Sequence, residues 1–264
     1  MTRQLDGARL KIVRAQGHLD DLKVRIREYL DEPPYTVSPY VTGTGPVTRT
    51  IKVHKSPPDE WSTIVGDCVT NARAALDYIA WELAGSYFSN PPRSIDDRNW
   101  LSFPISKNPY SATPTPDAQG YVNRINRLSN RGVPPDILSK IMTVQPHNAG
   151  YEPLWWLHEL VNTDKHRTLL LTTARLGDVS ISFKESTFVE CSFVSSRGVN
   201  SVSLSNTQAE TITLKTDPVE MDVQASVHVF LKDIRTPGER IEIALEQIVK
   251  TVGNVVTKFD GFFA

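Results

Sequence analysis

Apolar residues recur at fixed intervals through the first thirty positions of the chain. Leu5, Ile12, Leu19 and Ile26 form one rank, and Ala8, Ala15, Leu22 and Tyr29 follow three places behind. An a/d seam kept over about four heptads predicts one long amphipathic helix. Gly7 and Gly17 each cost such a helix about 1 kcal/mol against alanine, so the seam needs a surface to dock on. Pro33-Pro34 ends it. Val47, Arg49, Ile51 and Val53 then alternate with Thr48, Thr50 and Lys52, the signature of a short strand. Ser56-Pro57-Pro58-Asp59 reads as a helix start, and Trp61, Val65, Cys68, Ala72, Leu76, Ile79 and Leu83 carry the stripe to about 84.

Residues 89–150 are broken by Pro91-Pro92, Pro104, Pro109, Pro114, Pro116, Pro134-Pro135 and Pro146, leaving room for short helices near 118–129 and 135–143. A further helix is predicted over 152–168. Period-two alternation follows from 169 to 234, with separate strands at Val179–Phe183, Phe188–Val194, Val202–Leu204 and Ile212–Leu214. The clearest is Met221–Leu231. Thr236-Pro237-Gly238-Glu239 has the form of a capping box, and Ile241, Leu245, Ile248, Val252, Val255, Phe259 and Phe262 mark a closing helix over 237–262. The expected architecture is a single α+β domain, 1–264. In it a bundle of long helices (N-terminal, two central, C-terminal) packs against an antiparallel sheet meander.

Composition narrows the function classes. With 264 residues, 39% hydrophobic and 22% charged, the chain can bury a core and is not a disordered segment. Lys+Arg 29 against Asp+Glu 30 argues against indiscriminate nucleic-acid binding. A local basic surface is still available, from Arg9, Lys11 and Arg14 of the first helix and from Arg124, Arg127, Arg131 and Lys140. Cys68 and Cys191 are too few for a disulfide framework or a Cys-rich zinc site, and Cys68 falls on a core stripe. The charged N-terminus and the lack of a long apolar run point to a cytoplasmic chain that does not enter a membrane.

No phosphate-cradling loop, dinucleotide fingerprint or nucleophile elbow occurs. The densest chemistry lies in Trp155-Trp156-Leu157-His158-Glu159-Leu160-Val161-Asn162-Thr163-Asp164-Lys165-His166-Arg167. On a helix His158, Asn162 and His166 step by four along one flank, with Glu159 and Trp155 at its margin. His158-Glu159-x-x-Asn162 only approximates the zinc-protease pattern, because asparagine is a poor zinc ligand and eight helical residues hold His158 and His166 about 12 Å apart. No metal and no cofactor is called for. On the preceding helix Asp67 and Asn71 would meet His158 or His166 if the two helices ran antiparallel, whereas Arg73 and Asp77 are more simply an ion pair. His147 would overhang the polar face.

Asn162-x-x-x-His166 resembles part of the Arg-Asn-x-x-x-His signature of the HEPN superfamily, with Val161 where the family has arginine. The resemblance implies a helical scaffold. In the family's ribonucleases it also implies a homodimer acting on RNA without metal. Here His166 would move the proton, Asn162 would orient it, and Lys165, Arg167 or Arg73 would supply the cation that stabilises phosphorane charge. The same string, with Gly66-Asp67-Cys68-Val69-Thr70-Asn71, is similar to a largely actinobacterial protein group and implies a common fold without an activity. Two readings follow. In the preferred one the chain is a non-catalytic interaction or sensor protein, and His158, Glu159, Asp67, Asn71 and Arg73 form a polar network or binding surface. The alternative is a HEPN-like, metal-independent endoribonuclease of toxin or phage-defence type using Asn162 and His166.

Overall fold

Helix α1 (Asp6–Leu30) buries most of the rank marked by the heptads: Leu5, Ala8, Ala15, Leu19, Leu22, Ile26 and Tyr29 lie in the core, while Ile12 is only half-buried. The structure is a computed structural model that describes residues 5–39, 44–88, 101–107, 116–166, 172–205, 207–231 and 239–263, with only the backbone of 117, 165, 166 and 172. The fold is α+β, and the chain divides into two compact units. A helical unit holds residues 1–22, 62–170 and 233–264, and a sheet unit holds 23–61 and 171–232.

In the helical unit α2 (Trp61–Tyr87) runs antiparallel to α1. Three contacts in reverse order fix this. Gly7 meets the Tyr78 ring, Lys11 Nζ donates to Asn71 Oδ1 at 3.2 Å, and the Cys68 thiol donates to the Ala15 carbonyl at 3.3 Å. Val65, Cys68, Ala72, Leu76, Ile79 and Leu83 are buried as their spacing predicts. The helix starts at Trp61, not at residue 56. Pro57 and Pro58 bias the residues before them away from helical geometry, so the first turn closes only with the Trp61 N–H on the Pro58 carbonyl at 3.1 Å.

Two short helices, α3 (Pro116–Asn130) and α4 (Pro135–Thr143), fall close to the predicted positions, each with proline in its first turn. Helix α5 (Pro153–His166) and helix α6 (Ile241–Phe259) complete the unit, α6 passing into a 3-10 turn over Asp260–Phe262. Ile241, Leu245, Ile248, Val252, Val255 and Phe259 of α6 are buried, so its seam is a core face. Residues 236–238 of the predicted capping box lie outside the described residues, and the helix itself opens at Ile241. The two ends of the chain are joined by an Arg9–Asp260 ion pair. Tyr87 Oη donates to the Phe262 carbonyl at 3.1 Å, and Phe103 meets Phe259 edge-on at 6.0 Å.

In the sheet unit every pairing is antiparallel. Strands β1 (Tyr35–Val37), β2 (Val47–Val53), β5 (Thr211–Thr216), β3 (Thr172–Glu190) and β4 (Ser195–Leu204) neighbour one another in that order, and β6 (Met221–Leu231) pairs with β3. This departs from a simple meander: after β4 the chain leaves its neighbour, lays β5 between β2 and the far end of β3, and returns as β6. Strand β3 is continuous across 172–190, where the alternation suggested two strands. Lys184, Glu185 and Ser186 are exposed in succession, and the register with β4 shifts there, so the pattern is interrupted by a bulge and not by a turn. Asp217 holds this region, its Oδ2 accepting from the Phe188 N–H at 3.0 Å and from Thr187 Oγ1 at 3.2 Å. The turn comes at Cys191–Val194, closed by the Cys191 N–H on the Val194 carbonyl, so the predicted strand over 188–194 ends early. Arg49 takes an inward position on β2 as the alternation predicts, and its guanidinium donates to the Val219 carbonyl at 2.7 Å. No helix among the described residues is long and apolar enough to cross a membrane.

The two glycines of α1 differ in a way the sequence does not show. A Cβ on Gly7 would lie 2.5 Å from Tyr78 Cε1, whereas a Cβ on Gly17 would meet nothing within 4 Å. Gly7→Ala is therefore expected to destabilise by about 1–3 kcal/mol. Gly17→Ala should stabilise by about 0.5–1 kcal/mol through helix propensity alone. Urea denaturation of the two variants checks the opposite signs. Burial pushes the Cys68 thiol up to about 12. Because only the thiolate reacts, Cys191 should be labelled by a disulfide reagent in native protein at mildly alkaline pH, and Cys68 only after denaturation. Keeping the Cys68 thiol neutral contributes stability that is complete below about pH 9. That contribution is lost as pH rises toward about 12.

Candidate functional site

Helix α5 starts where Pro153 can occupy a first-turn position without wasting an N–H, with Leu154 and Trp155 N–H groups turned back on the Tyr151 and Glu152 carbonyls. Leu154, Leu157, Leu160 and Val161 face the core. That leaves Trp155, His158 and Asn162 on the flank the sequence singles out, the first two half-buried and Asn162 exposed.

These three side chains form a continuous row. The Trp155 and His158 rings stack at 5.1 Å between centroids with 25° between planes. Asn162 Nδ2 lies 3.0 Å from His158 Nε2. With the amide donating, Nε2 is the bare ring nitrogen and the proton sits on Nδ1. At the other end Lys107 Nζ stands 5.7 Å from the centre of the Trp155 ring, a cation held over an aromatic face. The sequence points to Trp155, His158 and Asn162, but not to Lys107, which precedes Trp155 by 48 positions and belongs to no helix or strand.

The other predicted site residues are distributed differently. Asn71 does not turn toward His158: its Nδ2 donates to the Asp67 carbonyl at 2.8 Å and its Oδ1 accepts from Lys11, so it serves the α1–α2 contact. Asp67 is exposed and Glu159 half-buried, with the Glu159 carbonyl accepting from Thr163 Oγ1 at 2.9 Å. The acid that α5 brings to α2 is Asp164, whose Oδ1 lies 2.8 Å from where a Cβ on Gly66 would stand. Lys165 and His166 are the last two residues of α5 by backbone, and their side chains, like Arg167 altogether, lie outside the described residues. His147 is exposed. Arg127 and Arg131 are exposed, and the Arg131 guanidinium sits 5.6 Å from the Phe88 ring centre.

Arg73 is spent on structure. Its NH2 group donates to Asp77 Oδ1 at 2.9 Å and to the Phe103 carbonyl at 2.7 Å, while Asp77 Oδ1 accepts the Phe103 N–H at 2.9 Å. The pair thus closes on both backbone groups of one residue in the irregular segment 101–107. A second clip was not foreseen. Gln145, fully buried, accepts the Ser106 N–H at 3.0 Å and donates to the Pro104 and Ile141 carbonyls at 3.0 and 2.9 Å. The signal for it was a long polar side chain directly before a proline at the end of an apolar helix. In the sheet unit a polar hollow of about 900 Å³ is bordered by Ser186, Phe188, Glu190, Arg197, Lys215 and Asp217. Its charges are matched locally: Lys215 lies 3.9 Å from Glu190, Arg197 covers the Phe188 ring, and Asp217 holds backbone.

No protein-family model matches the chain, and no curated protein or solved structure matches it either.

The two clips have a measurable consequence. Asp77→Ala strands the Phe103 N–H and part of the Arg73 guanidinium, and Gln145→Leu strands the Ser106 N–H and the Pro104 carbonyl. Each should cost about 2 kcal/mol in chemical denaturation, the penalty of buried groups left unbonded.

Proposed function

We propose that the chain is a non-catalytic interaction or sensor protein on a HEPN-like helical scaffold. Its recognition surface is the row Lys107, Trp155, His158 and Asn162. The observation that carries this reading is the Asn162–His158 hydrogen bond under a stacked Trp155. It engages the amide nitrogen of the asparagine with a neighbour one turn back along the helix. The row offers a cation, an aromatic edge and an amide to a partner, a combination suited to recognition more than to bond cleavage.

The alternative, a metal-independent endoribonuclease using Asn162 and His166 with Lys165 or Arg167 as the cation, draws its support from the exposure of Asn162 one turn before His166. Arg73 is withdrawn from that role by its bonds to Asp77 and Phe103.

Incubation of a mixed tRNA and mRNA pool with wild-type and His166→Ala protein in EDTA separates the two. The interaction reading expects no cleavage by either protein. A cleavage pattern present in wild type and absent from a variant of unchanged melting temperature would establish RNA chemistry at His166 and overturn it.

A further inference from the structure

Elsewhere on the helical unit, the polar ridge of α6 borders a trough. Two adjoining hollows of about 440 and 370 Å³ share Gly150 and Asn254. One wall is the turn that leads into α5, with Tyr151 and Trp156 half-buried at its two ends. The other wall is α6, from which Gln247, Lys250, Asn254 and Lys258 follow one another along the trough.

We propose that this trough binds an acidic, proline-containing peptide in polyproline II form. Amide, ammonium, amide and ammonium alternate along the ridge. The two amides are seven residues apart, a rise of about 10.5 Å on a helix. In a polyproline II chain every third residue presents its carbonyl on the same side, about 9.3 Å along. Gln247 and Asn254 therefore match two such carbonyls, and among the described residues neither amide is bonded elsewhere. Proline rings need aromatic walls, and Trp156 and Tyr151 supply them.

Charge selects the acidic class. Lys250 and Lys258 are exposed at the trough, and Lys258 Nζ lies over the Tyr151 ring at 5.6 Å, free to swing to a carboxylate. On the lining the two lysines outnumber the one acid, Glu152, whose Oε2 is turned to the Gly150 N–H at 2.9 Å. The shape also favours a linear ligand. The ridge from Gln247 to Lys258 runs about 16 Å, the length of five residues in that conformation.

The test uses the full chain and a fluorescein-labelled peptide repeating Pro-Pro-Glu, followed by anisotropy. Saturable binding in the micromolar range is expected. A Lys250→Glu, Lys258→Glu double variant should weaken it by at least about tenfold, and Asn254→Ala by a few fold. All these positions are exposed, so folding is not at stake, and circular dichroism confirms it. Competition by unlabelled peptide is expected, whereas a Pro-Pro-Lys repeat and adenosine monophosphate should not compete. No binding of the Pro-Pro-Glu peptide up to about 1 mM, equal binding of the lysine repeat, or unchanged affinity in the double variant would each overturn the assignment. Competition by the mononucleotide would reassign the trough to nucleotides. Peptide binding is read separately from RNA cleavage, so the outcome does not depend on the proposed function.

Discussion

A stretch of chain with no helix or strand of its own cannot be buried unless something bonds its backbone. In this protein residues 101–106 are such a stretch, and they are deep: Phe103 is fully buried and Ile105 nearly so. The Arg73–Asp77 fork takes the N–H and carbonyl of Phe103, and Gln145 takes those of Ser106 and Pro104. With the backbone satisfied, Phe103 can reach Phe259 and bring α6 into the same core as α2. The next residue out of the clip is Lys107, and the clip sets it over Trp155. A buried backbone problem in one place thus places a cation in another, and the α5 row is incomplete without it.

The helices were legible because their reasons are local. The stripe of α2 lies buried where periodicity puts it, as do the a/d rank of α1 apart from half-buried Ile12 and the seam of α6 apart from half-buried Phe262. A local signal misleads where a competing one acts on the same residues. Ser56-Pro57-Pro58-Asp59 carries the composition of a cap, yet two consecutive prolines delay the first turn to Trp61. The three polar residues at 184–186 look like a turn, yet they are a bulge inside one long strand.

The candidate site was legible only in part, for a different reason. Trp155, His158 and Asn162 share a helix flank, and four-residue spacing is enough to unite them. Lys107 and Gln145 act across the fold, and no spacing rule reaches from one to the other. Asn71 illustrates the converse: its helical face was readable, but the neighbour on that face was not, and the partner proved to be Lys11 of α1.

The helical unit is built from three stretches of chain, and Arg9 at its start is paired with Asp260, 251 positions later. That separation bears on the order of events during synthesis. The seam of α1 is made long before α6, which belongs to the same unit. Contacts so distant in sequence make folding slow and leave apolar surface uncovered for most of translation. The nascent chain is accordingly the form of this protein in greatest need of chaperone cover, and the helical unit reaches its native stability only when α6 docks.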